Sequence, residues 1–384
     1  MKIMYILHES GDSFNGASRS VLTLIQAAIK ENDRVYVVLP EKRGRLVDEL
    51  SGLEQVEVIE AKFYRWKRVK SRNPLKSALQ YFKYRFYESV VNRMTAWRLG
   101  MYALKEKVDV IHTNSSVVNV GGLIHKTTKI PHVWHIREFG EEDFDMYPME
   151  SEKRFYSFVN NYSDTIICIS EAVANKFRKN VDGNKIEVIY NGVDIPPLTY
   201  KEHFTSKILI SGVISTKKGQ WIAVEALKLL KEKGITAKLY IAGKGNLQTL
   251  NITPDMEDRI NVMGFVDDMT SLRSNMDIEL MCSVSEGFGR TTVEAMAAGV
   301  LIIAANGGAS PEIIREGENG FLFDVNNPVS LASVLEKVMT CSDKEKTRIR
   351  ENAHEDVKRR FNKERYVKDV RNKYFELLRT RKER

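Results

Sequence analysis

Cysteine is scarce in this 384-residue chain: Cys168, Cys282 and Cys341 are the three that occur. They lie far apart, are odd in number and show no C-x-x-C spacing, which excludes a disulfide framework and a thiolate zinc site. Cys168 and Cys282 fall in apolar runs and are expected as small core residues. Long apolar runs are also missing. None reaches the roughly 20 residues of a membrane span, and the apolar start, residues 1–7, is too short for a secretory h-region. The expected location is the cytoplasm. No G-x-G-x-x-G follows the first apolar run, which argues against a dinucleotide oxidoreductase. The D-x-D pattern Asp143-Phe144-Asp145 sits in an acidic loop of the first half, so no metal ligand set is expected. Acid is lacking from one stretch in particular. Residues 62–98 hold eleven Lys/Arg against the single Glu88, an excess larger than the net charge of +8 on the whole chain. Basicity is therefore local, as on a surface that meets an anionic partner.

What is present is enough for two ordinary domains: 43% of the residues are hydrophobic, and strands alternate with helices from one end to the other. The chain can be read around Ser283-Val284-Ser285-Glu286-Gly287-Phe288-Gly289-Arg290-Thr291-Thr292-Val293-Glu294-Ala295-Met296-Ala297-Ala298-Gly299, followed by an apolar run and Gly307-Gly308. Two glutamates stand eight residues apart, one in a glycine-bearing loop and one in a helix that Thr291 or Thr292 is expected to cap. Glycines let backbone N–H groups approach an anion, and a helix N-terminus adds unpaired donors and a positive dipole end. A carboxylate on a phosphate would be repelled, so the glutamates are suited to hydroxyls. A nucleotide sugar carries both kinds of group.

This string, S-x-x-E-G-F-G-x-x-x-x-E-A-M-A-x-G, resembles the signature of retaining glycosyltransferases of family 4, which have the GT-B fold. The resemblance implies an α/β protein of two Rossmann-like domains facing across a cleft, with a C-terminal helix crossing back to the first domain. On this chain the parts are 1–194 for the acceptor, 195–365 for the nucleotide sugar and 366–384 for the returning helix. It implies transfer of a sugar from a nucleoside diphosphate sugar, with UDP favoured over GDP, to a hydroxyl of a saccharide or lipid-linked saccharide. The setting would be cell-surface polysaccharide synthesis, with retained configuration and neither metal nor other cofactor. By resemblance Glu286 holds the donor sugar's hydroxyls, Glu294 the ribose, and Gly287, Phe288, Gly289, Arg290, Thr291 and Thr292 form the donor loop. Gly264 and Phe265 lie where backbone meets the nucleobase, and Gly16 is what remains of a Gly-Gly pair that meets the diphosphate. Gly212 and Lys218 match a motif of Gly-Arg, four residues, then Lys-Gly; Val213 stands in place of the arginine, with Lys217 or Arg290 as compensating charges. His135 is the histidine beside the donor sugar, with Asn114 and Arg137 on the acceptor side. His112 and His132 alternate differently along their strands and are expected to be structural.

Other readings on the same architecture are a nucleotide-sugar epimerase, a phosphorylase, or a non-catalytic protein that binds nucleotide sugar or membrane. Strands are expected at residues 2–7, 35–39, 56–59, 108–112, 131–138, 165–169 and 186–189, and again from 207–211 to 301–305. A helix over Leu75, Leu79, Phe82, Phe86, Val90, Met94, Trp97, Met101 and Leu104 is expected to turn that apolar stripe to the core. The basic and aromatic residues around it, with Phe63 to Arg68 before it, suit an anionic membrane surface, or else a solvated face; nucleic acid is not expected. Residues 138–145 are expected as a mobile loop, and residues 379–384 as a frayed end.

Overall fold

The computed structural model describes residues 1–8, 16–69, 74–198 and 204–382. They divide into two compact units, Met1–Gly192 with Glu364–Arg384, and Val193–Lys363. The first runs β1 (Lys2–Leu7), α1 (Gly16–Lys30), β2 (Arg34–Leu39), α2 (Arg45–Leu50), β3 (Val56–Glu60), β4 (Lys67–Val69), α3 (Pro74–Lys105) and β5 (Val110–Asn114). It continues with α4 (Val120–Thr128), β6 (His132–Ile136), α5 (Glu141–Phe144), β7 (Met146–Pro148), α6 (Glu152–Asn161), β8 (Thr165–Cys168), α7 (Glu171–Arg178) and β9 (Ile186–Val188). The second unit holds β10 (Lys207–Ser211), α8 (Gln220–Glu232), β11 (Lys238–Ala242), β12 (Ile260–Gly264), α9 (Met269–Ser274), β13 (Ile278–Met281) and α10 (Arg290–Ala297). After these come β14 (Leu301–Ala305), α11 (Ser310–Ile313), β15 (Phe321–Phe323), α12 (Pro328–Thr340) and α13 (Asp343–Arg360); α14 (Lys363–Lys382) ends the chain within the first unit.

Each unit is built on a parallel sheet of Rossmann type with helices on both faces. The first has strand order β3-β2-β1-β5-β6-β8-β9 and the second β12-β11-β10-β13-β14-β15. Strands covered on both faces must be apolar on both, which is why Lys2–Leu7 and Leu301–Ala305 read as nearly unbroken hydrophobic runs. In β1, Ile3, Tyr5 and Leu7 pack with α1 and with Tyr366, Val370 and Tyr374 of α14, while Met4 and Ile6 pack with Ala96, Leu99 and Ala103 of α3. Ion pairs from Arg371 to Asp33 (2.5 Å) and Lys373 to Glu187 (2.7 Å) tie α14 to the same unit.

Four sequence expectations are corrected. From Phe82 on, the apolar stripe of α3 points outward: Phe82 is 70% exposed, Phe86 65%, Met94 62% and Trp97 63%. The buried face is instead Glu88, Asn92, Ala96, Leu99 and Ala103. Small residues win that face because α4 lies close; a Cβ on Gly100 would sit 3.0 Å from the Thr128 methyl. Asn92 and Glu88 hydrogen-bond Asn119 there, at 2.9 and 2.7 Å, so burial leaves them paired. The acidic segment after β6 is ordered. Glu138 is buried, accepting from the Ser116 N–H at 2.7 Å and the Ser115 hydroxyl at 3.0 Å, Asp143 caps α5 through the Phe139 and Gly140 N–H groups, and β7 pairs antiparallel with β4. Within residues 62–68, Phe63, Trp66 and Lys67 are buried, with Lys67 Nζ donating to Ser116 at 2.7 Å. Finally, the charged end expected to fray is helical through Lys382, and residues 383–384 lie outside the described residues. Of the expected polar loop after β1, residues 9–15 lie outside the described residues, as do Lys70 and the side chains of Leu75, Lys76, Leu79 and Lys83.

Candidate active site

A parallel sheet opens a crevice where neighbouring strands send their connections to opposite faces. In the second unit that point lies between β10, whose neighbour in sequence is β11, and β13 on its other side. The loops leaving these two strands carry Gly212 to Gly219 and Ser283 to Gly289. A salt bridge joins them, Lys218 Nζ to Glu286 Oε1 at 2.6 Å, with both groups partly accessible. Lys218 is placed by a short turn that Ser215 caps, and Gly219 follows in the left-handed region. Glu286 is held by its backbone: its carbonyl accepts from the Ala309 N–H at 2.9 Å, and Gly308, at φ 56°, lies so close that a Cβ would come within 2.5 Å of Glu286 N and O. The Gly307-Gly308 pair is thus a seat for the Glu286 loop.

Helix α10 begins at Arg290 behind Gly289, whose φ of 77° turns the chain into the helix. That corrects the capping expectation: Thr291 and Thr292 lie inside the first turn, and Thr292 is buried with its hydroxyl lacking a hydrogen-bond partner among the described residues. Phe288 is also buried, stacked edge-on against Phe361 with ring centroids 5.7 Å apart, so it supports the loop from below. Glu294 is clamped from both sides. Arg290 Nε donates to one oxygen at 2.8 Å and Arg273 Nη1 to the other at 3.0 Å. Arg273, on α9, is itself buried and donates through Nε to Glu279 at 2.8 Å; Glu279 is 0% exposed and also accepts from Ser211 at 2.7 Å. Burial pulls the Arg273 guanidinium down, but Glu279 and Glu294 outweigh it and the net shift is upward, so the cation persists. Neither Arg273 nor Glu279 was among the expected site residues. The available signal was Glu279 itself, a carboxylate inside an apolar strand, which requires a buried countercharge.

The ends of β10, β11 and β12 continue the same edge. Gly212 (φ 130°) and Gly264 (φ 67°) close their strands in conformations suited to glycine. Val213 is 65% exposed, and Phe265, also 65% exposed, has Lys244 Nζ 5.5 Å from its ring centroid. The edge therefore presents an open aromatic face, a bare valine, and then the Lys218–Glu286 pair.

In the first unit the equivalent point lies between β1 and β5. Gly16 is the exposed first residue of α1. The pairing of Asn114 with His135 puts His112 on the same face as His135, with ring centroids 5.2 Å apart, contrary to the alternation expected of them. Only His132 faces the other way, bonded to Thr113 at 2.8 Å. His135 is 0% exposed, and neither ring nitrogen has a partner among the described residues. Burial first, then the charges of Arg137 and His112, hold its pKa well below the usual histidine value, so the ring is neutral. Arg137 is engaged by Asn114 Oδ1 (2.8 Å), Asn191 Oδ1 and the Tyr366 hydroxyl (2.9 Å), which binds Asn114 and Arg137 to each other and to α14.

Comparison with known proteins agrees with this geometry. The family model described as Glycosyltransferase Family 4 matches residues 14–195, and that described as Glycosyl transferases group 1 matches residues 201–356. N-acetyl-alpha-D-glucosaminyl L-malate synthase of Bacillus anthracis is 26% identical over 77% of this chain and 84% of its own. UDP-Gal:alpha-D-GlcNAc-diphosphoundecaprenol alpha-1,3-galactosyltransferase of Escherichia coli is 25% identical over 73% of this chain and 79% of its own. Among solved structures, HepE of Anabaena in complex with UDP-glucose superposes with a TM-score of 0.72 at 19% identity, covering 97% of this chain and 99% of that one. Two family models that between them span most of the chain, on a pair of Rossmann-like sheets, establish that this protein is a glycosyltransferase of family 4 with the GT-B fold.

Proposed function

We propose that this enzyme transfers a sugar from a UDP-sugar to a hydroxyl of a saccharide or lipid-linked saccharide, with retention at the anomeric carbon and without a metal. The observation that carries the reading is the Lys218–Glu286 pair joining the two loops at the strand switch of the second unit. The pair is partly accessible, so a diphosphate can take the lysine while the glutamate accepts hydrogen bonds from the donor sugar. The α10 N-terminus and Arg290 add positive potential toward the leaving group, which offsets a valine at position 213. Glu294, held rigid by two arginines, is the acceptor for ribose hydroxyls, and Phe265 offers a face to the base.

Both carboxylates are engaged by cations, and neither is disposed as an attacking group. The reaction then runs by departure of the diphosphate: the bond from anomeric carbon to phosphate oxygen breaks as the acceptor oxygen bonds the same face. The acceptor's proton goes to the departing phosphate oxygen. UDP is preferred because the E. coli relative is named for UDP-Gal and HepE was solved with UDP-glucose. The diphosphoundecaprenol acceptor of the former supports a lipid-linked saccharide and work at the inner face of the cell membrane. The place of Asn114, His135 and Arg137 at the C-terminal ends of β5 and β6 supports their assignment to the acceptor side, and neither His135 ring nitrogen has a hydrogen-bond partner among the described residues, so both suit an acceptor hydroxyl. Incubation with UDP-sugars and lipid-linked acceptors in the presence of EDTA, followed by NMR of the anomeric proton, tests the whole reading. An α-linked product from an α-donor is expected. A β-linked product, dependence on added metal, or a changed nucleotide sugar without acceptor would each refute the corresponding part.

A further inference from the structure

The outward face of α3 from Phe82 on is an apolar stripe that no described residue of its own unit covers. Phe82, Phe86, Val90, Met94, Trp97, Met101 and Leu104 are all exposed and recur at steps of three or four. From the first to the last is about 33 Å at about 1.5 Å per residue, a continuous strip rather than scattered surface side chains. The same arc carries the exposed cations Arg93, Arg98 and Lys105. The one acid of the helix, Glu88, points inward and is paired with Arg85 (3.1 Å) and Asn119 (2.7 Å). The face is therefore apolar and positive, with no carboxylate of the helix on it.

We propose that this face of α3 lies flat on an anionic lipid surface. It deepens the reading above, in which the acceptor is lipid-linked, by naming the surface that brings enzyme and acceptor together. Aromatic and aliphatic side chains enter the headgroup boundary while arginines and lysine meet lipid phosphates, the division of labour of an interfacial amphipathic helix. A second copy of the chain suits the face less well, since stripe against stripe would bring cations to cations. The buried Trp66 and Lys67 take no part, which moves the contact away from the segment before the helix and onto the helix itself.

The test is sedimentation of the full chain with vesicles of phosphatidylcholine alone or with phosphatidylglycerol added. Two variants are compared with wild type, F86S/M94S/W97S and R93E/R98E; all five positions are exposed, so both are expected to fold. Wild type should bind the anionic vesicles, less so in high salt, and each variant should lose about tenfold or more in partitioning. Trp97 emission should shift to the blue on binding, a signal absent in W97F. Unchanged binding in both variants overturns the proposal, as does wild-type binding equal on both vesicle types. A concentration-dependent dimer abolished by F86S/M94S/W97S, without vesicle binding, also overturns it in favour of self-association. Stabilisation by UDP, measured on the same preparations, separates the two readings. A UDP shift with no vesicle binding sinks only the docking surface, and vesicle binding with no UDP shift sinks only the donor site.

Discussion

Replacing Arg273 by methionine separates the two tasks assigned to its guanidinium. The side chain is buried, and its loss leaves Glu279, 0% exposed, with the Ser211 hydroxyl as its one partner among the described residues. Removing one member of a buried ion pair costs about 3–5 kcal/mol because the other charge stays behind uncompensated. In a unit of this size each kcal/mol is about 2–4 °C of melting temperature, so R273M should melt roughly 6–20 °C lower. Removing both charges in R273M/E279M takes away the desolvated carboxylate too, and stability should return to within about 1 kcal/mol of wild type. Donor binding behaves differently. In both variants Glu294 loses the 3.0 Å bond to Arg273 while the one to Arg290 remains, so the carboxylate is less well fixed for ribose. UDP affinity by calorimetry should fall about tenfold in the double variant, equivalent to ~1.4 kcal/mol. A double variant as unstable as the single one would refute the ion-pair account. A stable double variant with wild-type UDP affinity would refute the idea that Arg273 positions Glu294.

Lys218→Ala should lower turnover by about 10²–10³, the usual loss when one preorganised donor to developing charge is removed, with a melting temperature close to wild type because the pair is partly exposed. Unchanged kinetics would remove Lys218 from the mechanism. Val213→Arg places a cation at a solvent-open position beside the same crevice and should tighten UDP binding severalfold in calorimetry; unaltered affinity would show that the valine lies away from the diphosphate. Acid should destabilise the first unit. His112, His132 and His135 are buried, and burial holds each below its ordinary value, His132 down to about 3. A histidine with a depressed folded pKa contributes fully above about pH 6.5, its unfolded value, and that contribution is lost as pH falls below it. From pH 7 to 5.5 the three should cost about 4 kcal/mol. Asp143, pushed up to about 6 by burial, has the opposite sign and returns about 1 kcal/mol over that interval. Urea melts should therefore show a drop of about 3 kcal/mol, and a flat profile would mean that the histidines are not buried neutral.

The strands and the glycine-bearing loop around Glu286 were legible in the order of residues, for physical reasons; that Lys218 bonds Glu286 was not. A strand buried on both faces must be a run such as Leu301–Ala305, and a loop that seats backbone on backbone must have glycine where Gly307 and Gly308 stand. Such requirements are local, and local sequence satisfies them or does not. What only the tertiary structure decided concerns partners distant along the chain. The α3 periodicity showed a stripe but not which side faced inward; the close approach of α4 put Ala96 and Ala103 inside and Phe86 and Trp97 outside. Sheet register brought His112 beside His135, and α9 delivered Arg273 to Glu294 across 21 residues of sequence. Periodicity and propensity record which side chains lie on a common face. What that face meets depends on packing between segments, which no single stretch of sequence contains.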